Sequence, residues 1–188
     1  MQPNRSAVMT YSIEDKLSPV ARELLDAWSR LPRRDHVPFR ASFEPMSVPR
    51  ILPVILLFER SDRGWRFRLA GTEIDRRWGR PVTGLEYTEL VSAEGFRAAR
   101  QEFEGIAQTP CGSFSVATVT FKSGWRSTLE ILRLPMRAND GSVSLILCSA
   151  AEAFARKTPH GADMAQEIDS FEQRQFFDIG AGLIRECW

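Results

Sequence analysis

Histidine and cysteine are scarce in this chain, long apolar runs are missing, and each scarcity removes a class of function. Two histidines, His36 and His160, and three cysteines, Cys111, Cys148 and Cys187, lie far apart in 188 residues. They form no C-x-x-C pair and no Cys/His cluster, so no metal site is expected. Three cysteines cannot all pair within one chain, which suits a reducing cytoplasm better than secretion. The longest apolar run, Ile51–Phe58, contains Pro53 and falls well short of the roughly 20 residues that span a bilayer. The N-terminus, Met1-Gln2-Pro3-Asn4-Arg5, has no apolar segment of the signal-peptide kind. A soluble, cytoplasmic protein without membrane insertion is the expectation.

An excess of charge of one sign is missing too. The net charge is +1, so no bulk field draws the chain to nucleic acid or to an anionic membrane. No helix-turn-helix pair with a basic recognition helix is present. Lysine is confined to Lys16, Lys122 and Lys157, with arginine supplying the rest of the basic charge, a usage that points to a GC-rich bacterial genome. Catalytic and nucleotide motifs are also missing: G-x-S-x-G, H-E-x-x-H, G-x-G-x-x-G and G-x-x-x-x-G-K-[ST] do not occur. Glu102 and Glu104 are two apart on a helical segment and point to different faces. No enzyme is expected.

What is present is a set of five strand-like runs, split two then three by a helical middle. Leu52–Glu59 and Trp65–Gly71 flank the turn Ser61-Asp62-Arg63-Gly64. Ser113–Phe121, Trp125–Leu134 and Ser142–Ser149 are separated by Lys122-Ser123-Gly124 and Asn139-Asp140-Gly141. Each turn ends in glycine, which adopts the positive φ of tight hairpins without a steric cost. The stretch between, about Glu73–Gln108, reads as short helices, with Thr72 and Ser92 at helix starts. The ββ-α-βββ order predicts an α+β fold: one five-stranded antiparallel sheet with helices on one side. Such an arrangement leaves a hollow between sheet and helices where a small ligand can sit.

Amphipathic helices are predicted at both ends. Leu17, Val20, Ala21, Leu24, Leu25, Trp28 and Leu31 form an unbroken apolar stripe over 17–31, opened by Ser18 and Pro19 and ended by Pro32. Residues 1–16 read as a flexible arm, 32–150 as the main domain, and 151–188 as a linker and a second helix over Ala162–Asp178. The connector Leu31–Pro53 is rich in proline and arginine and reads as extended, with Phe39 and Phe43 pinned to the core.

In its motifs the chain resembles the PAS family, and within it a bacterial subfamily of small PAS-like proteins. The resemblance rests on Leu31-Pro32-Arg33-Arg34, Phe43-Glu44-Pro45, Leu52-Pro53, Arg68-Leu69-Ala70-Gly71-Thr72, Trp78-Gly79-Arg80 and Thr83-Gly84, in that order, over about residues 28–150. It implies a sensory and dimerising module that holds a small ligand or cofactor between sheet and helices. Flavin photoreceptors of this fold carry a reactive cysteine in an Asn-Cys-Arg-Phe-Leu type motif, which does not occur here. Histidine-ligated haem needs a core histidine, whereas His36 lies in the connector and His160 in the C-terminal linker. Haem and flavin are therefore both disfavoured on this reading, and the cofactor is unknown.

Three functional readings follow. The first is a regulatory module that binds a small, mostly apolar molecule and signals to an unidentified protein. Its candidate lining is Trp78, Phe96, Phe103, Phe114, Val116, Trp125, Leu129, Ile131, Leu145 and Leu147, with Thr118 and Thr120 as polar handles. The second is a protein–protein adaptor whose core is filled. The third is a binder of an anionic ligand such as a nucleotide second messenger, through Arg33-Arg34 or Arg76-Arg77-Arg80. These arginines can equally form a solvated face with Asp35, Glu73 and Asp75, and Gly71-Thr72 can equally be a plain turn. The apolar stripe over 17–31 needs cover from the back of the sheet or from a second copy, and the resemblance implies the second: a homodimer with Leu17, Leu24 and Trp28 at the contact.

Overall fold

The computed structural model describes residues 13–152 and 164–182. Two short strands, β1 (Arg33–Arg34) and β2 (Val37–Pro38), lie in the connector. The main sheet is built from β3 (Ile55–Ser61), β4 (Gly64–Ala70), β5 (Gly112–Phe121), β6 (Arg126–Arg137), β7 (Val143–Glu152) and β8 (Ala165–Phe177). The sheet order is β4-β3-β7-β6-β5-β8, and every neighbouring pair is antiparallel. Three helices accompany it: α1 (Pro19–Ser29), α2 (Thr72–Trp78) and α3 (Ala93–Gln108). The glycine-ended turns fall between β3 and β4, β5 and β6, and β6 and β7, as their sequences require. Pro53 keeps residues Leu52–Val54 out of the sheet as a 3-10 turn, because proline lacks the N–H of a central ladder.

The two faces of the sheet are covered differently. Leu132, Leu134 and Met136 of β6 alternate outward and pack with Leu24 and Trp28 of α1. Leu129 and Ile131 alternate inward and pack with Phe103 and Ile106 of α3. Alternation of this kind follows from the period of 2 along a strand. Helix α1 starts at Ser18, whose hydroxyl accepts from the Ala21 amide at 3.3 Å, and whose own N–H donates to Glu130 on β6 at 3.0 Å. Trp28 is buried, with its indole N–H donating to the Pro135 carbonyl at 3.0 Å. The apolar stripe thus finds its cover in the sheet of the same chain.

The helix predicted over Ala162–Asp178 is instead strand β8, paired along β5. The reason lies in three register shifts. Inward residues Ala117, Val119 and Phe121 of β5 face Phe171, Ile168 and Ala165 of β8. Each irregularity adds a residue to the β8 side, stretching its inward period from two to three. Apolar positions three apart mimic a helix in sequence. The sheet therefore has six strands where five were expected.

Short distances explain two glycines. A Cβ on Gly71 would lie 2.3 Å from the carbonyl oxygens of Leu52 and Pro53, so this residue lets α2 start against that turn. Gly79 ends α2 at φ +65°, and Met164 occupies the space a Cβ would need. In the connector Phe43 is buried and Phe39 bridges to Arg137. The expected arm up to residue 12, most of the expected linker with His160, and the tail with Cys187 lie outside the described residues.

Replacing Trp28 with alanine removes a buried ring and the donor to Pro135. Unfolding in urea is expected to show a loss of about 3–5 kcal/mol. A loss under about 1 kcal/mol would mean that α1 is not packed on its own sheet.

Candidate functional site

Between the inner face of the sheet and the helices lies a cavity of about 30 Å³, room for a water or two. Strands supply Leu56, Phe58, Phe67, Val119, Leu129, Ile131, Arg133, Ala150 and Ile168; helix α2 supplies Ile74, Arg77 and Trp78; Tyr87 and Phe103 complete the wall. Phe58 is the hub of the aromatic group. Its ring centroid lies 4.7 Å from Phe67, 5.3 Å from Tyr87 in an edge-on arrangement, and 5.0 Å from Phe103. Offset and edge-on contacts of this kind suit the ring quadrupoles.

One charged pair is buried beside these rings. Arg133 projects inward from β6 and Glu102 from α3, and the side chains are each 1% exposed. The Nη1 of Arg133 donates to Oε1 of Glu102 at 2.9 Å and to Oγ of Ser115 at 2.7 Å. Ser113 also donates to Oε1 of Glu102. The guanidinium lies 5.6 Å from the Phe103 ring centroid and 5.3 Å from that of Phe171. Two of the pair's buried atoms, Nε of Arg133 and Oε2 of Glu102, have no hydrogen-bond partner. Such orphans cost about 1–3 kcal/mol each, more on charged groups.

The surroundings perturb their neighbours. Burial pushes the Tyr87 phenol well above its ordinary value, against the attraction of the Arg133 charge and its hydrogen bond. Burial pushes the Cys148 thiol up to about 12, with Arg133 acting the other way and Glu102 in the same direction. A thiol so held is a poor nucleophile. Burial lowers the pKa of Arg77, opposed by the charges of Glu152 and Glu73.

Of the residues singled out from sequence, Trp78, Phe103, Leu129 and Ile131 line this cavity. Phe96 and Trp125 pack against the inner core without lining it. Phe114, Val116, Leu145 and Leu147 lie on the other face, in the cluster under α1. Thr118 shares their strand parity, and Thr120 bonds to Asp169 instead. Inward positions on β5 and β7 are the odd residues of one and the even residues of the other: Ser113, Ser115, Ala117 and Val119, then Ile146, Cys148 and Ala150. A parity choice off by one moves a whole strand's side chains to the opposite face. Sequence reasoning missed Arg133 and Tyr87; the available signal was an arginine in the middle of the apolar run Ile131-Leu132-Arg133-Leu134.

The expected dimer residues Leu17, Leu24 and Trp28 are buried in the cluster between α1 and the sheet of the same chain. Most of the basic clusters are tied up locally. Arg33 lies over the Trp28 ring at 4.8 Å, Arg34 pairs with Asp35 at 3.6 Å, and Arg76 bonds to Glu73 at 2.9 Å. Arg77 is the member that turns to the cavity. Among the described residues there is no group of acidic, cysteine or histidine side chains able to hold a metal ion, and no helix long and apolar enough to cross a membrane.

A family model described as PAS domain matches residues 16–150. No curated protein matches the chain. Among solved structures, a light-oxygen-voltage domain studied with a flavin analogue is 14% identical, with 58% of this chain and 84% of that one covered at a TM-score of 0.42. The dark-state light-oxygen-voltage domain of the blue-light photoreceptor Aureochrome1 is 12% identical, covering 60% and 85%, at 0.44. A variant of Vivid is 14% identical, covering 80% and 100%, at 0.44. These neighbours overturn the expectation that flavin is disfavoured. A missing cysteine motif bears on covalent bond formation and says nothing about noncovalent binding.

Two measurements check this site. Breaking the buried pair with Glu102→Gln or Arg133→Met should cost about 3–5 kcal/mol, because a lone buried charge remains. The double variant Glu102→Leu/Arg133→Met should regain much of that loss; strictly additive losses would mean that the pair does not interact. Cys148 and Tyr87 are acids with raised folded-state pKa values. Their contribution is full below their unfolded values of roughly 8.5 and 10. It is lost as pH rises through the window above those values, by up to about 1.4 kcal/mol per pH unit for each group. Urea unfolding should therefore weaken from about pH 9 upward, and Cys148→Ala should remove the first part of the decline. A profile flat to about pH 10.5 contradicts the burial of both.

Proposed function

This chain belongs to the PAS domain family, and from that premise we propose that it is a regulatory module sensing a small, mostly apolar molecule in the cavity between sheet and helices. The observation that carries the reading is an aromatic-walled cavity that includes Arg133, a fully buried guanidinium with an unpartnered Nε. A core optimised for packing alone gains nothing from such a group. A guest that accepts from Arg133 removes the unmet donor and adds apolar contact with the rings.

Transmission runs through β8 on this reading. Ile168 lines the cavity, and Phe171 lies over the Arg133 guanidinium. Both belong to the strand that covers the edge of β5. A guest that moves Arg133 changes the packing of β8, and a partner protein reads that change. The volume of about 30 Å³ means that an organic guest enters by displacing a ring, and Trp78 at the end of the short helix α2 is the most exposed of the lining rings.

The same volume supports a second reading, an adaptor whose filled core binds nothing and whose surfaces alone make contacts. The two readings separate in one experiment. Protein purified from its own host is examined by native mass spectrometry, beside Ala150→Leu, whose added methylenes fill the cavity at a cost of about 1–3 kcal/mol. The sensing reading expects a bound species that Ala150→Leu loses, and slower amide exchange over Ala165–Phe177 when it is bound. No bound species, with no thermal shift across a broad metabolite library, leaves the adaptor.

A further inference from the structure

We infer that the molecule taken by this cavity is a small apolar monocarboxylate, held by Arg133 and Arg77. The inference rests on the reading of the cavity as a ligand site and adds the chemistry of the ligand. Among the described residues, the polar groups lining the cavity are Arg77, Tyr87 and Arg133. Arg77 and Arg133 only donate and are permanent cations, whereas the Tyr87 phenol can donate or accept. Among the described lining residues there is no carboxylate; Glu102 bonds to Arg133 and is not one of them. The donor-bearing wall is therefore one-sided, and its complement is an acceptor with negative charge.

The charge count points the same way. Glu102 compensates Arg133, sharing Oε1 with Ser113 as a second donor. Arg77 has no such close acid among its described neighbours. Glu73 is engaged by Arg76 at 2.9 Å, and the charge of Glu152 favours the Arg77 cation. Two guanidiniums in the lining favour an anionic guest, and because each further buried charge adds to the cost of desolvation, a monoanion suits the cavity best.

Geometry and solvation narrow the anion further. The Arg133 guanidinium has the Phe103 and Phe171 rings beside it, and its Nε is unpartnered. With Nη1 held by Glu102 and Ser115, Arg133 offers one free N–H, and the two oxygens of a carboxylate can be shared between it and Arg77. A phosphate monoester would bring up to two charges and a tetrahedral head into a wall that is otherwise Phe, Trp, Leu and Ile, where burying extra charge is costly. Phe58, Phe67 and Trp78 give the apolar body its contact, and the small volume keeps that body short or flat.

The test compares butanoate and benzoate with their neutral isosteres butanamide and benzamide. Binding is followed by Trp78-sensitive fluorescence and by thermal shift, in the full chain and in Arg77→Met. Stabilisation by the carboxylates and not by the amides is expected, with affinity falling about tenfold or more in Arg77→Met while its melting temperature without ligand stays close to the parent's. Equal binding of acids and amides, or carboxylate binding unchanged in Arg77→Met, overturns the assignment and leaves the cavity a ligand site. Failure of all four probes to bind overturns the assignment, and if the host-purified protein also carries nothing, the ligand-site reading falls with it.

Discussion

A guanidinium with 1% exposure must be compensated, and much of the inner face of this protein is arranged around that need. Arg133 sits on β6, a central strand, and its partner Glu102 comes from α3. Ser113 and Ser115 come from β5, and the rings of Phe103 and Phe171 from α3 and β8. One side chain thus binds a helix and two further strands to the middle of the sheet. Moving two ions out of water costs several kcal/mol per ion, which their attraction repays only with good geometry. The geometry here is good at Nη1 and Oε1 and incomplete at Nε and Oε2. The pair is held firmly at one end and unmet at the other.

The sixth strand extends that coupling to the surface. A five-stranded sheet would leave β5 as an open edge, and an open edge invites pairing with other chains. β8 covers it, but does so with register shifts that bend and twist the strand. The result is an edge strand whose inward residues reach the cavity at Ile168 and the ion pair at Phe171. Gly79 and Met164 fix the start of this segment against the end of α2. Both α2 and β8 contribute side chains to the cavity, and they meet at that contact.

How much of this was legible in the sequence depends on which physical signal was in play. Hairpin glycines and strand runs placed β3 to β7, and Ser18 and Ser92 placed the starts of α1 and α3, because turns and caps are local chemistry. Strand parity was not local. Phe114 and Val116 form an apolar series as good as Ala117 and Val119, and only the presence of α1 on the outer face decides which series faces the cavity. The stripe of α1 carried the same ambiguity: an apolar face states that it needs cover, and not whether its own sheet or another chain provides it. In β8 the irregular register put apolar residues three apart, so its pattern spoke for a helix. The ion pair escaped because Arg133 and Glu102 are 31 residues apart, and nothing in either neighbourhood names the other.

The two faces of the sheet also differ in how completely their polar groups are satisfied. The outer cluster under α1 is made of aliphatic and aromatic side chains, with the one polar tip of Trp28 satisfied by Pro135. Burial there contributes about 1.5–3 kcal/mol for each large side chain, and nothing in it is left unmet among its described hydrogen-bonding atoms. The inner face carries the cost of Arg133, Glu102 and an imperfectly filled cavity. Orphaned atoms worth about 1–3 kcal/mol each would be a large fraction of a typical net stability of about 5–15 kcal/mol. They are set against the burial of the outer cluster on the opposite face of the same strands. The sheet thus carries its unmet polar atoms and its cavity on one face and its wholly apolar packing on the other.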